Sequence, residues 1–213
     1  NSVELSAEQR FTRDMMVRAS YTFSNLKGNF PGLFSPETGQ LDPNLTSMYD
    51  MPELMANRYG DLAVDRPHQV KLDGYYMRTV ENVGRFSFGG SARATSGIPH
   101  GYLGAHKWYG LGETYILPRG EAGRSPFTTR FDVKLQYGRE LGGGRMIEVF
   151  ADVFNLFNQQ PELDVDENYT YENVNAIVGG DAEDLAHLKV LDPGTDLTSP
   201  FTPTQNPNFG NVA

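Results

Sequence analysis

The chain has 213 residues, enough for one large or two small domains, and no cysteine, which excludes disulfides and thiolate metal sites. Its 23 Gly, 13 Pro, 11 Tyr and 13 Phe beside a single Trp favour strands and turns over helices. The net charge of −9 is concentrated late: ten acidic residues and one lysine follow Gln160, leaving 17 of each sign in the first 160, so no basic stripe for nucleic acid exists.

Period-two alternation recurs six times and predicts six antiparallel strands in meander order. The first, near Val3–Phe11, sets Val3, Leu5 and Ala7 against Glu4, Glu8 and Arg10. The second, Met15–Ser24, sets Val17, Ala19, Tyr21 and Phe23 against Arg18, Ser20 and Thr22. In the third, His68–Val80, Val70, Leu72 and Tyr76 oppose Lys71 and Asp73. In the fourth, Arg85–Thr95, Phe86, Phe88 and Ala92 oppose Arg85, Ser91 and Arg93. In the fifth, Thr128–Leu141, Val133, Leu135 and Tyr137 oppose Arg130, Asp132 and Lys134. The sixth, Arg145–Phe157, sets Ile147, Val149, Ala151 and Val153 against Glu148, Phe150 and Asp152. No segment has a helical period, and no apolar run approaches 18 residues, the length a membrane-crossing helix needs.

Connections alternate as regularly as faces do. Short turns are expected at Thr12 to Asp14, Glu81 to Gly84 and Gly142 to Gly144, and long connections at 25–67, 96–127 and from Gln159 onward. Soluble sandwiches rarely keep structureless loops beyond roughly 12–15 residues. Short turns on one side, long loops on the other and strands of ~10 residues with an apolar and a polar face describe an outer-membrane barrel. On this reading the aliphatic rows meet lipid, and Arg93, Arg130, Asp132, Lys134, Glu148 and Asp152 face a wet lumen. The other reading the alternation allows is a soluble secreted β-sandwich that binds carbohydrate or a partner protein.

Several stretches resemble a known family. Asp152 to Gln160, DVFNLFNQQ, is similar to the penultimate strand of TonB-dependent outer-membrane receptors. DRPHQVKLDGYY (65–76), SGIPHG (96–101), LPRGEAGRSP (117–126) and RFDVKLQY (130–137) follow in the order seen in the Oar-like branch. The closing NPNFGNVA (206–213) is similar to the lead-in to that family's final strand. The resemblance implies an all-β, antiparallel up-and-down transmembrane barrel, probed here in its C-terminal part. Residues 1–160 then supply six strands with two long extracellular loops, numbers 16 to 21 of 22, and 161–213 form an acidic extracellular loop before an absent last strand. It further implies short turns on the periplasmic side, an outer-membrane location in a Gram-negative cell, energised movement of a solute, peptide or protein, and a TonB-type partner acting through a part not in this chain. The start, Asn1-Ser2-Val3-Glu4, has no basic leader before an apolar run and enters the alternation at once, as expected of a portion of a longer protein.

Three candidate sites stand out. His100, Tyr102, His106, Trp108 and Tyr109 gather two imidazoles and three aromatics in one loop, a composition suited to sugars, peptides or a metal. Asp164, Asp166 and Asn168 have the spacing of the first three positions of a calcium loop. Tyr169 and Asn175, however, occupy the places where such a loop needs Gly and Glu, so calcium is the one cofactor to consider and an EF-hand is not expected. Asn155 and Asn158 are expected to start a turn rather than to act on a ligand. Gly142 to Gly144 lacks the Lys-Ser/Thr of a phosphate loop, and no Gly-x-Ser-x-Gly elbow accompanies Ser96 and His100, so no enzyme is expected.

Overall fold

A computed structural model describes residues 1–41, 44–161, 164–191, 198–200 and 203–212. These residues group into two compact units, one of 1–24, 66–96 and 127–161, the other of 25–65, 97–126 and 162–213. The chain is all-β, with helix among the described residues confined to Pro52–Met55 and the 3-10 segments Asn44–Tyr49 and Ala182–His187. The strands used below are β1 (Ser2–Thr12), β2 (Met15–Ser24), β3 (His68–Val80), β4 (Gly84–Thr95), β5 (Leu103–His106), β6 (Gly110–Tyr115), β7 (Thr128–Gly142), β8 (Arg145–Val153) and β9 (Asn168–Asn173).

The first unit is a single antiparallel sheet in the order β1-β2-β3-β4-β7-β8. It is open: β1 and β8 are its edges, and every residue of both is exposed. Directly opposed residues share a face, so the register tests the alternation across strands. Leu5 opposes Tyr21, Tyr21 opposes Val70, and Val70 opposes Ala94; Phe88 opposes Leu135, and Leu135 opposes Ala151. All six apolar rows therefore fall on one face and all six polar rows on the other. A slip of one residue anywhere would have mixed them.

Turn chemistry sets that register. Gly142, Gly143 and Gly144 all have positive φ, which side chains disfavour, and they close the β7–β8 hairpin. Asn82, at φ 61°, and the bond from Val83 N–H to the Val80 carbonyl close β3–β4. The last strand stops earlier than its alternation suggests, at Val153 rather than Phe157. Asn155 and Asn158 adopt φ of 51° and 49°, where a strand cannot continue. The Asn155 amide donates to the Gln159 carbonyl at 2.9 Å, and its Oδ1 accepts from Gln159 N–H at 2.9 Å. Asn155→Ala should therefore cost about 1–3 kcal/mol from strain and lost bonds, and Asn155→Gly less, because glycine keeps the φ. Denaturant titration of the two variants checks the order; equal losses would show that the side-chain bonds alone matter.

The second unit shows that the long connections are not structureless. Ile116, Leu117, Val174, Leu185 and Leu188 form a buried core with Tyr102, Tyr169 and Ile177 against it. A three-stranded sheet, β6-β5-β9, carries part of it, and Gly104 in β5 sits where a Cβ would overlap Val174. Asn57 joins all three segments: its amide donates to the carbonyls of Tyr115, Ile116 and Ile177 at 3.3, 2.9 and 3.0 Å. Of the acidic segment, residues 162, 163, 192–197, 201, 202 and 213 lie outside the described residues, as does the Leu191 side chain.

Candidate functional site

On the polar face of the sheet, the six residues expected to line a lumen lie on one surface, where they are knitted into ion pairs. Lys134 reaches Asp152 at 3.4 Å across β7–β8, and Arg85 reaches Glu148 at 3.5 Å. Arg93 and Arg130 oppose one another directly, a like-charge placement that is relieved by Asp73 at 2.7 Å from Arg93 and Asp132 at 3.0 Å from Arg130. Asp132 is also the joint between strand and turn, since its Oδ1 accepts the Asn155 backbone N–H at 2.8 Å. Asp73, Arg85 and Ser91 belong to the same network. They are not among the six, although they stand in the same alternating register, which is the signal that could have found them. These pairs are a third to a half exposed, so each contributes little stability; their effect is to hold side chains in a defined polar pattern.

The opposite face is apolar and exposed: Leu72 is 44% accessible, Leu135 52% and Val149 61%. Aromatic rows bound it at both ends. Near the long connections, Tyr21 and Phe23 cluster on His68, with ring centroids 6.1 and 5.5 Å away. Near the short turns, Phe86 packs on Tyr137 at 5.1 Å and opposes Arg78. From His68 to Arg78 along β3 is ten residues, about 33 Å at ~3.3 Å per residue, which a strand tilt of ~40° reduces to ~25 Å of height. That is the height of the apolar band of an outer-membrane barrel.

The loop cluster is not a single platform. His100 is buried, with Nε2 hydrogen-bonded to Ser125 Oγ at 2.7 Å and Nδ1 3.4 Å from Glu167 Oε1. Tyr102 stacks on Phe209 at 5.2 Å and meets Tyr169 edge-on at 5.8 Å. His106 is buried and accepts the Trp108 N–H through Nδ1; burial holds it below the ordinary histidine range. Of the five candidates, the two at the hairpin tip keep open aromatic surface: Trp108, 69% exposed with Lys107 Nζ 4.9 Å from its ring, and Tyr109, whose hydroxyl donates to Asp50 at 2.7 Å.

Ser125, His100 and Glu167 stand in a nucleophile–base–acid order that sequence spacing did not reveal. The residue after Ser125 is Pro126, which has no N–H, so the donor that follows the serine in a hydrolase elbow is missing. The hydrogen bonds instead tie two segments together, 97–126 and 162–213. Glu167 Oε2 accepts the Gly101 N–H at 2.7 Å, and burial pushes its carboxyl above the ordinary glutamate range despite the His100 and Gly101 bonds. Because the folded carboxyl holds its proton more tightly, the stability it contributes is complete below the ordinary glutamate value. It is lost as pH rises through the raised one. Glu167→Gln should flatten that fall. Protease resistance of the 97–126 segment between pH 4 and 7, in wild type and variant, checks it; parallel curves would refute it.

In the acidic segment, Asp166 of the calcium candidate is hydrogen-bonded within the chain. Burial works against an ionised Asp166, but hydrogen bonds from Asn168, Asn206 and Tyr171 hold its carboxyl below the usual range and occupy both oxygens. Asp164 is exposed. Among the described residues no group of three or more His, Asp or Glu is arranged to hold a metal ion. Asp181 and Asp184 form a capping box on Ala182–His187, so the carboxylates of this segment serve partly as caps and turns. Glu167, in the segment read from the sequence as an acidic extracellular loop, is 6% accessible.

No family model matches the chain, and no solved structure matches it. It is similar, at 39% identity over 212 residues, to the TonB-dependent transporter Oar of Myxococcus xanthus, a match that covers all of this chain. The chain spans 20% of the length of that curated relative. An all-β chain with a two-faced antiparallel meander agrees with that likeness, which is to a C-terminal part of a TonB-dependent transporter.

Proposed function

We propose that this chain forms part of the wall and the outer loops of an energised outer-membrane transporter. The apolar face meets lipid, and Arg93, Arg130, Asp132, Lys134, Glu148 and Asp152 line the lumen. The carrying observation is the register, which gathers the apolar rows on one face between aromatic rows ten residues apart. Six strands are too few for a membrane barrel, which begins at eight, so the rest of a larger wall, 22 strands by resemblance, lies elsewhere in the protein. The second unit is the extracellular part, and at one of its hairpin tips Trp108 and Tyr109 offer aromatic surface to a solute or peptide. A TonB-type protein supplies the energy through a region outside this chain. A soluble sandwich needs a second sheet on the apolar face, and the sheet unit contains one sheet.

This chain contributes no cysteine, so with any cysteine in the rest of the full-length protein replaced, single introduced cysteines can report each position. A fluorophore at Val133 or Val149 should be quenched by spin-labelled lipid, and one at Lys134 or Glu148 by a water-soluble quencher. Aqueous quenching at all four positions would overturn the barrel reading.

A further inference from the structure

Cations are distributed unequally between the two faces. On the polar face, Arg18, Arg85, Arg93, Arg130 and Lys134 each sit within 4 Å of a carboxylate. The apolar rows contain no Asp or Glu, yet beside Arg145, the first residue of β8 at the hairpin turn, they hold two arginines inside strands, Arg78 in β3 and Arg139 in β7. Neither has an ion pair or side-chain hydrogen bond among the described residues, and both are exposed.

Both arginines also lie at the same end. Arg78 is two residues from the end of β3 and opposes Phe86; Phe86 opposes Tyr137, and Arg139 follows Tyr137 by one pleat. The two guanidinium-bearing strands thus flank β4, with Arg78 beside Phe86 and Arg139 one pleat beyond Tyr137. The Tyr137 hydroxyl donates to the Val83 carbonyl at 2.7 Å, so this ring too has its polar end toward the short turns. Inward from Arg78 runs a groove of about 400 Å³ lined by Tyr76, Phe86, Phe88, Leu135 and Val149.

Resting on the barrel reading above, we propose that this groove holds an acyl chain of an anionic glycerophospholipid of the periplasmic leaflet, whose phosphate is held by Arg78 and Arg139. An unpaired arginine on a lipid-facing row is costly at mid-membrane and tolerated at the interfaces, where phosphate oxygens accept its fork of donors. The absence of any carboxylate on this face makes the complement an anion. The apolar groove beneath the cations requires that anion to carry a hydrocarbon tail, which a free phosphate lacks.

The test is native mass spectrometry of the full-length transporter, released from vesicles containing phosphatidylglycerol, phosphatidylcholine and lipopolysaccharide. Wild type should retain phosphatidylglycerol preferentially. Arg78→Gln and Arg139→Gln should each lower that retention by about fivefold, the equivalent of ~1 kcal/mol per surface cation. The Arg78→Lys, Arg139→Lys pair should keep part of it. Lys71→Gln, which removes a cation from the polar face, should leave it unchanged. Unaltered retention in the two glutamine variants, or selective retention of lipopolysaccharide, would overturn the inference. A protein that inserts with no lipid preference refutes the lipid site alone, whereas one that fails to insert at all refutes the barrel reading beneath it. Thermal unfolding of each variant separates loss of the site from loss of the fold.

Discussion

Arg58→Ala should destabilise the loop unit by about 3–5 kcal/mol, the usual cost of leaving one member of a buried ion pair alone. Arg58 and Glu113 are 7% and 4% accessible, and Arg58 NH2 donates to Glu113 Oε2 at 2.7 Å. The same guanidinium donates from Nε to the Leu54 carbonyl at 2.7 Å and from NH2 to the Glu113 carbonyl at 2.9 Å, and it lies 5.0 Å from the Tyr115 ring. Without it, the Glu113 carboxylate keeps, among the described residues, the Ser47 hydroxyl at 3.1 Å. Replacing both residues, as Arg58→Met with Glu113→Met, should cost less than either single alanine, since no charge is then buried alone. Limited proteolysis of the full-length protein along a denaturant series, read at cleavage sites within 25–65 and 97–126, measures both. A loss below about 1 kcal/mol for Arg58→Ala would show that the pair does not hold these segments together.

Val133→Arg should cost about 2–4 kcal/mol in a lipid bilayer, the value for a cation at the middle of a lipid-facing row. Val133 opposes Gly90 and Val153, and Gly90 opposes Gly74, which places it midway between the two aromatic rows. Gln136→Arg, three residues further on the polar face, should stay within about 0.5 kcal/mol, as surface substitutions usually do. The chain's own Arg139 sits on the same face as Val133 but three pleats nearer the short turns, where the penalty is ~0–1 kcal/mol. Reversible guanidinium unfolding of the full-length protein from vesicles reads all three positions. Equal costs at 133 and 136 would mean that lipid does not meet the apolar face.

The sequence by itself determined the sheet. Alternation is a local property with period two, so Val133 against Lys134, or Ile147 against Glu148, declares a face without any partner strand, and Gly142 to Gly144 declares the hairpin between them. Cross-strand pairing then had only one way to keep carboxylates off the aliphatic surface. The same locality made the Asn155 and Asn158 turn legible, though not the early end of β8, because a strand stops where φ turns positive rather than where its apolar residues run out. The loop unit is a different case. Asn57 meeting the Tyr115, Ile116 and Ile177 carbonyls, Glu113 meeting Arg58, and His100 meeting Ser125 and Glu167 all join residues tens of positions apart, with no period to announce them. Only tertiary packing decided that His100, Tyr102 and His106 turn inward while Trp108 stays open. The apolar residues of a loop can be counted in advance, but which polar groups are buried with them depends on what each backbone carbonyl and carboxylate finds once the three segments have closed on one core.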